Sequence, residues 1–452
     1  MKIKLISALV IVFTGFGNFT VAEEMPAEQE QTISDEVQLD ELAAQEDAEP
    51  APLPLNELRK FADVFGKIKA AYVEEIDDVT LLQNAIKGML SGLDPHSAYL
   101  EPSAYDDLKV STSGSFGGLG IEIGMENGFV KVIAPIDETP AQLGGIQAGD
   151  LIIELDNKPV KGLSLNQAVD KMRGEVGTKI KLKLVRSGTR EPIEMTLTRA
   201  EIKTPSIRSM VLDDHYGYLR VSQFQANSGD QFAEKLNSLK EEAKDLRGLI
   251  IDLRNNPGGV LQAAVQMADE LLEEGLIVYT KGRSEIAQLS FSAQAGDALE
   301  GKPVIVLIDG GSASASEILA GALQDHSRAV IMGTQSFGKG SVQNILQLDE
   351  EHALKLTTAR YYTPNGRSIQ AQGIVPDIVV NRAKLGDEQK QDFYREADLA
   401  GHLSNDGSET ESEDEGELSA EQKRRKELIE KDFQLQEAIN LLKAIDILKI
   451  EI

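Results

Sequence analysis

From about residue 217 the sequence alternates short apolar strands with amphipathic helices, and this alternation constrains the fold more than any other feature. The strand segments read GYLRVSQF, GLIIDLR, PVIVLID and AVIMG, with helix-forming segments such as SGDQFAEKLNSLKEEA and SASEILAGALQD between them. Buried strands flanked by helices predict an α/β domain, in which helices pack on a sheet. We expect this domain over residues 201–382.

The preceding region has a different pattern. Residues 112–200 contain glycine-punctuated β-like runs such as GLGIEIG, GFVKVIAPI and KIKLKLVR around one helical segment, which predicts a small β-barrel domain. Apolar residues at helical spacing predict an N-terminal helical region over 55–111 and a C-terminal helix over 419–452. One face of the latter suggests docking or self-association, through Leu435, Ile439, Leu442 and Ile445.

The first 22 residues, MKIKLISALVIVFTGFGNFTVA, have the pattern of a secretory signal peptide. Two lysines precede an apolar run, and small residues end the segment at Ala22. A retained membrane anchor is the alternative, although the apolar run is shorter than the roughly 20 residues that span a bilayer. We expect an exported, periplasmic protein, or a cell-envelope protein if the segment is retained.

The composition excludes several classes of partner and chemistry. The net charge of −28 disfavours nucleic acid, which would be repelled. Residues 23–54 and 383–418 are acidic and read as disordered linkers. The absence of cysteine excludes disulfides, thiolate metal sites and a cysteine nucleophile, and we expect neither a metal nor another cofactor.

The stretch GTQSFGKGS, residues 333–341, has the glycine and lysine spacing of a phosphate-binding loop. Such a loop requires Ser or Thr directly after its lysine and a helix beyond it. Here Gly340 follows Lys339, and the next residues, SVQNILQL, alternate like a strand. The sequence therefore argues against nucleotide binding, and Lys339 requires another explanation.

A serine lies upstream at the start of a predicted helix, in DGGSASASEILAGALQD. Ser314 and Glu317 have capping-box spacing, so Ser314 can be a helix cap. The same position places its hydroxyl beside free amides that stabilise an oxyanion, as a nucleophile requires. No histidine has a triad signature around it, and lysine is the other known base for serine. The pKa of Lys339 would have to fall to about 7, at a cost of roughly 4.6 kcal/mol, which burial can supply.

Three further segments could complete such a site. Gln343 could orient the amine of Lys339 if the chain turns between them, but not if it is fully extended. The loop DLRNNPGG could donate a backbone N–H to an oxyanion together with the amide after the serine, or could be a plain turn. The GGLGIEI segment could bind a peptide's C-terminal carboxylate while the peptide adds as a strand.

Together these motifs resemble the carboxyl-terminal processing proteases, also called tail-specific proteases. The resemblance extends from about Leu55 to Val380 and includes LDPHSAYL and LTTARYYTPNGRSIQAQGIVPD. It implies a PDZ domain at 112–200, followed by a crotonase-like (ClpP/crotonase) α/β protease core. It also implies a serine endopeptidase that in some members needs an adaptor protein.

Carried onto this chain, the resemblance assigns a role to each motif. Ser314 matches the nucleophile, Lys339 the general base and Gln343 its orienting partner. The expected oxyanion donors are the amide of Ala315 and that of Gly258 or Gly259, between which the sequence does not choose. The expected peptide-binding loop of the PDZ domain comprises Gly118, Leu119, Gly120 and Ile121.

The sequence thus predicts a protease that binds protein C-termini in its PDZ domain and cleaves with a Ser-Lys-Gln arrangement. The alternative is a PDZ-type scaffold or chaperone that binds the same tails without cutting them. Replacement of Ser314 by alanine distinguishes the two, because only a protease loses an activity.

Overall fold

A computed structural model describes residues 53–294, 296–382, 429 and 431–449 of the chain. The predicted signal peptide and the acidic segment 383–418 lie outside the described residues, as do nearly all of 23–54 and the start of the predicted C-terminal helix. The chain divides into two compact units, residues 1–59 and 60–452. Only residues 53–59 of the first unit are described, and they include the first turn of helix α1.

The N-terminal region is mainly helical. Its elements are α1 (Leu55–Ala71), α2 (Asp78–Ser91), β1 (Ala98–Leu100) and α3 (Pro102–Ser113). Helix α2 begins after Asp77, whose side chain accepts the N–H of Thr80, a standard N-cap. Helix α3 ends at Gly114, which adopts φ 71°, a conformation that favours glycine.

A small antiparallel domain follows. Its strands and helices are β2 (Ser115–Gly118), β3 (Ile121–Glu126), β4 (Phe129–Pro135), α4 (Pro140–Leu143), β5 (Leu151–Leu155), β6 (Lys158–Pro159), α5 (Leu165–Met172), β7 (Lys179–Val185), β8 (Ile193–Thr198) and β9 (Ala200–Lys203). The main sheet has the order β3-β4-β5-β7-β8, so β3 is an edge strand. β2 and β9 pair with each other where the chain enters and leaves the domain.

The predicted α/β core follows the small domain. Its elements are β10 (Ile207–Leu212), β11 (Tyr216–Val221), α6 (Ser228–Glu242), β12 (Gly248–Asp252), α7 (Leu261–Asp269), β13 (Gly275–Gly282), β14 (Ser290–Ala293), β15 (Val304–Ile308), α8 (Ala315–Asp325), β16 (Ala329–Gly333), β17 (Ser341–Gln347), β18 (Ala353–Tyr362) and β19 (Ile378–Val379). One sheet has the order β10-β11-β12-β15-β16-β19 and is parallel from β11 onward. A second, antiparallel sheet has β18 at its centre, paired with β1, β13 and β17.

Alternate residues of the parallel strands bury opposite faces of the sheet, as the two-residue period of a strand requires. Leu249 and Ile251 pack with helices α6, α7 and α8. Ile250 lies on the other face, where it packs with the last helix, α9 (Phe433–Leu448). The apolar side of α9 therefore docks on its own core. In the described part of the chain, no helix is long and apolar enough to cross a membrane.

Candidate active site

Ser314 lies where the loop after β15 enters helix α8, as the sequence predicts. It is the N-cap residue of α8, with φ 56° and ψ −114°, a conformation that costs a non-glycine residue of order 1–3 kcal/mol. Only 7% of the residue is exposed. Strain of this kind at a buried serine on a helix N-terminus is typical of a side chain held in one position for chemistry.

The loop between β12 and α7, residues 253–260, holds this serine loop in place. The carbonyl of Asn256 accepts from the N–H of Ala313 and from the hydroxyl of Ser316, both at 3.0 Å. The carbonyl of Leu253 accepts from the hydroxyl of Ser312 at 2.8 Å. Because Leu253 and Asn256 are both buried, these bonds are sheltered from water, and the two loops form one rigid unit.

The structure separates the two glycine candidates of this loop. The N–H of Gly258 donates to Oδ1 of Asn256 at 2.9 Å, whereas the N–H of Gly259 makes no hydrogen bond to a described atom. The N–H of Ala315, the first of helix α8, is likewise unbonded among the described residues. A Cβ at Gly258 would lie 2.8 Å from Cβ of Ser314 and 3.0 Å from the nitrogen of Ala315, so only glycine fits this close approach.

Glu317 connects the serine to the lysine loop. Its Oε2 accepts the backbone N–H of Ser314 at 2.8 Å and that of Lys339 at 2.9 Å. Its Oε1 accepts the hydroxyl of Ser336 at 2.5 Å and the N–H of Gly338 at 2.7 Å. The backbone nitrogens of Ser314 and Lys339, 25 positions apart in sequence, are thus separated by a single oxygen atom. A carboxylate 1% exposed is compensated here by four donors.

Lys339 is half-buried between these elements. Burial lowers the pKa of its amine, as does the charge of Lys355, while Glu317 acts in the opposite direction. The side chain of Lys339 makes no hydrogen bond to a described residue, and none joins it to Ser314. Its amine is therefore biased toward the neutral form that a general base requires.

No hydrogen bond joins Gln343 to Lys339 among the residues that the structure describes. Gln343 lies in strand β17, and its Nε2 donates to Oγ of Ser341 at 2.8 Å and to Oγ1 of Thr357 at 3.5 Å. The pairing of β17 with β18 is irregular between Val342 and Gln343, so the segment is neither the turn nor the fully extended strand that the sequence left open. The structure brings the backbone nitrogens of Ser314 and Lys339 to one carboxylate oxygen but leaves the glutamine side chain bonded elsewhere.

Sequence reasoning missed several residues near the lysine. The spacing of Glu317 predicts only a helix-cap partner, although a carboxylate at the start of the apolar segment EILAGAL is a usable signal. His96, whose pKa is lowered by burial and by the charge of Lys339, comes from the N-terminal region. Burial raises the pKa of Tyr361 to about 12, opposed by a hydrogen bond with Ser314, which places a neutral phenol beside the serine. Only the folded chain brings these groups together.

The glycine-rich loop of the small domain joins β2 to the edge strand β3. Leu119 is 3% exposed and packs in the domain core. Gly120 adopts φ +74°, and a Cβ there would lie 2.3 Å from Cβ of Thr139. The N–H groups of Leu119 and Gly120 bond to no described atom. An edge strand preceded by free amides is suited to binding an extended peptide by its C-terminus.

Comparison with known proteins agrees with this architecture. Residues 215–380 match the model of peptidase family S41, residues 131–186 match that of the PDZ domain, and residues 11–104 match that of the activating protease CtpB N-terminal domain. The α/β core and the small antiparallel domain are thus those of a serine peptidase with a PDZ domain.

The curated relatives place the chain more narrowly. It is 45% identical over 390 residues to a carboxy-terminal-processing protease of Bartonella bacilliformis, covering 86% of this chain and 88% of the relative. It is 35% identical over 328 residues to the carboxy-terminal processing protease CtpB of Bacillus subtilis, covering 72% and 68%. The chain belongs to the carboxyl-terminal-processing protease family.

A solved structure, the photosystem II D1 C-terminal processing protease, is also similar. It shares 30% identity with this chain, with a TM-score of 0.43 and coverage of 72% of this chain and 93% of that one. Likeness of the core to the crotonase fold stays a prediction.

Proposed function

We propose that this protease is exported, binds the C-terminal tails of protein substrates in its PDZ domain, and cleaves them with Ser314 as nucleophile and Lys339 as general base. The observation that carries the proposal is the shared carboxylate of Glu317, which holds the backbone of both residues. The lowered pKa of Lys339 supports its role as the base.

The reaction follows from these groups. Neutral Nζ of Lys339 takes the proton of the Ser314 hydroxyl as Oγ bonds to the peptide carbonyl carbon. The resulting oxyanion accepts from the N–H of Ala315 and, because that of Gly258 is engaged, from the N–H of Gly259. The lysine ammonium then protonates the leaving amine as the C–N bond breaks, and water hydrolyses the acyl-enzyme with the same lysine as base.

Gln343 acts in this scheme by accepting a hydrogen bond from the ammonium through Oε1, after its side chain or that of Lys339 moves. Its amide nitrogen is committed to Ser341 and Thr357, so the oxygen is the end left for the lysine. Apo geometry of this kind tightens when substrate binds.

Recognition begins at the PDZ domain. A substrate tail adds to the edge of β3, and its terminal carboxylate enters the predicted loop Gly118–Ile121, where the unbonded amides of Leu119 and Gly120 donate to it. The same edge of β3 can bind an adaptor protein. Self-association through α9 would require that helix to leave its own core, where Leu435 and Leu442 are fully buried.

The decisive experiment uses the purified full-length protein and an unfolded test protein with an apolar C-terminal tail. Ser314→Ala should abolish cleavage, a loss of about 10⁶-fold in kcat, while binding of the tail peptide persists. If the wild type binds the tail but does not cut, even with cell extract supplying an adaptor, the scaffold alternative holds. Fractionation of cells producing the full chain tests export, since retention in the cytoplasm would refute it.

A further inference from the structure

The loop that carries Gly258 and Gly259 is anchored at its other end to the C-terminal segment of the chain. Arg254 leaves this loop toward the face of the sheet that α9 covers. Its Nη2 donates to Asp252 at 2.7 Å and to Asp432 at 2.6 Å, and its Nη1 donates to Asp432 and to Gln434, each at 2.9 Å. Arg254 is 8% exposed, so these charge-assisted bonds are shielded from solvent.

The partners of Arg254 are themselves fixed. Asp252 also accepts the hydroxyl of Tyr218 at 2.8 Å, and although burial opposes ionisation, the bonds and charge of Arg254 hold the pKa of Asp252 low. Gln434 is 1% exposed and donates to the carbonyl of Val380 at 2.6 Å. Asp432 is the N-cap of α9 and accepts the N–H of Leu435. The guanidinium therefore bridges the end of strand β12 and the start of α9.

We infer that Asp432 is a positioning residue for catalysis, which holds the oxyanion loop through Arg254. The inference rests on the proposed function, because it assigns the loop to the oxyanion. A cavity of about 600 Å³ borders Arg254, Asp432 and Gln434, so hydrogen bonds rather than close packing fix the guanidinium on that side. Without Asp432, Arg254 keeps its bonds to Asp252 through Nε and Nη2 but loses its tie to the start of α9, and residues 255–259 lose one of their supports.

A second set of contacts carries the displacement to the serine. The N–H of Asn255 donates to Oδ1 of Asp309 at 2.8 Å, and the same oxygen accepts from Gly311 in the loop that leads to Ser314. The carbonyl of Asn256 accepts from that loop as well. A shift of the residues beside Arg254 therefore changes the spacing between the Gly259 amide and Ser314, and a misplacement of about 1 Å costs on the order of 100-fold in rate.

The chain offers a matched control at the other end of α9. Arg247 donates to Asp446 at 3.0 Å, which is also a tie between this helix and the core. Asp446→Asn removes one charged anchor from α9, as Asp432→Asn does, but it has no connection to the oxyanion loop.

The experiment compares both variants as full-length protein on the unfolded test protein. Asp432→Asn should lower kcat by about 10- to 100-fold with KM within twofold, and Asp432→Glu should restore part of the loss. Asp446→Asn should retain wild-type kcat. Thermal unfolding of each variant checks that α9 remains docked, and titration with the tail peptide checks that the PDZ domain still binds.

Two results overturn the inference. One is wild-type kcat for Asp432→Asn in a folded protein. The other is an equal fall in kcat for Asp446→Asn, which would show that any loosening of α9 suffices. The proposed function fails instead if the wild type does not cut or if Ser314→Ala still cuts, and the role of Asp432 in catalysis then fails with it. Failure of the proposed function is thus seen in the wild type or in Ser314→Ala, whereas failure of the inference alone is seen only in the Asp432 and Asp446 variants.

Discussion

The loop that carries Ser314 and the loop that carries Lys339 differ in how their functional side chains are held. Ser314 is 7% exposed, is locked at φ 56°, and belongs to a loop bonded to the oxyanion loop by buried backbone groups. Lys339 is bonded to Glu317 through its backbone only, and its amine has no hydrogen bond to a described residue. The groups proposed to stabilise charge are held by buried hydrogen bonds, whereas the amine proposed to move the proton is held by none to a described residue.

This difference has a physical reason. An oxyanion hole works because its dipoles are fixed before the reaction and need no reorganisation. A lysine base must first lose its proton and then take one from the serine, so its environment must disfavour the charge without binding the ammonium tightly. Substitutions on the two sides should therefore differ in kind as well as in size.

Replacement of Lys339 by arginine should give the largest effect on activity. The guanidinium keeps the charge and the length but cannot act as a base, so kcat/KM should fall by about 10⁴-fold. Cleavage assays on the full chain measure this. Lys281→Arg, on β13, is the control and should cut normally, and substantial activity in Lys339→Arg would remove the lysine from the mechanism.

Gly258→Ala tests the groups proposed to stabilise charge. Its Cβ would lie 2.6 Å from the carbonyl oxygen of Ala313 and 2.8 Å from Cβ of Ser314, at a φ of +95°. We expect kcat to fall by about 10²- to 10³-fold and stability to fall by about 1–3 kcal/mol, measured by kinetics and by thermal unfolding.

Gly301 provides the control for Gly258, because it also has a positive φ, +77°, but nothing lies within 4 Å of the added methyl group. Gly301→Ala should cost stability and leave kcat unchanged. An equal kcat in Gly258→Ala and Gly301→Ala would show that the close approach of Gly258 to Ser314 does not matter for catalysis.

Gln343→Leu should have a smaller effect, since one hydrogen bond to a charged group is worth about 1.5 kcal/mol. We expect a fall in kcat of about tenfold, with the loss arising from poorer orientation of the amine. Asn344→Leu, at the next position of the same strand, should behave as wild type. An unchanged kcat in Gln343→Leu would show that Gln343 does not orient the lysine and that its bonds to Ser341 and Thr357 have only a structural role.

Lys355→Gln should give the smallest effect and tests what lowers the pKa of Lys339. Burial and then the charge of Lys355 lower the pKa of Lys339, so removal of that charge raises it. Less of the Lys339 amine is then neutral at a given pH, so the rising limb of the pH profile of kcat/KM moves to higher pH. At neutral pH we expect kcat/KM to fall by about twofold.

The measurement is the full pH profile of wild type, Lys355→Gln and the control Lys281→Gln. In the wild type, activity should rise with pH, with a midpoint below the ordinary lysine value of 10.5. A limb that stays in place in Lys355→Gln, or moves to lower pH, would contradict the electrostatic explanation.

Local patterns in the sequence determined the parts of this protein that depend on neighbours along the chain. The alternation of strands and helices predicted the α/β core, because side chains repeat every two residues in a strand and every 3.6 in a helix. Small residues before α8 predicted a serine at a helix start, and the glycine after Lys339 excluded a phosphate loop. The predicted C-terminal helix covers 419–452, and among the described residues the helix spans Phe433–Leu448.

Only the tertiary structure decided which distant groups meet. Three such contacts leave no periodic trace in the sequence. Glu317 binds the backbone of both Ser314 and Lys339, and Lys355 acts on Lys339 from another strand. Arg254 binds Asp432, which lies 178 positions away. Such contacts arise when sheets and helices pack, because buried charges must find partners wherever the fold supplies them. The sequence therefore predicted the candidate reactive residues, and packing supplied the carboxylates and cations that surround them.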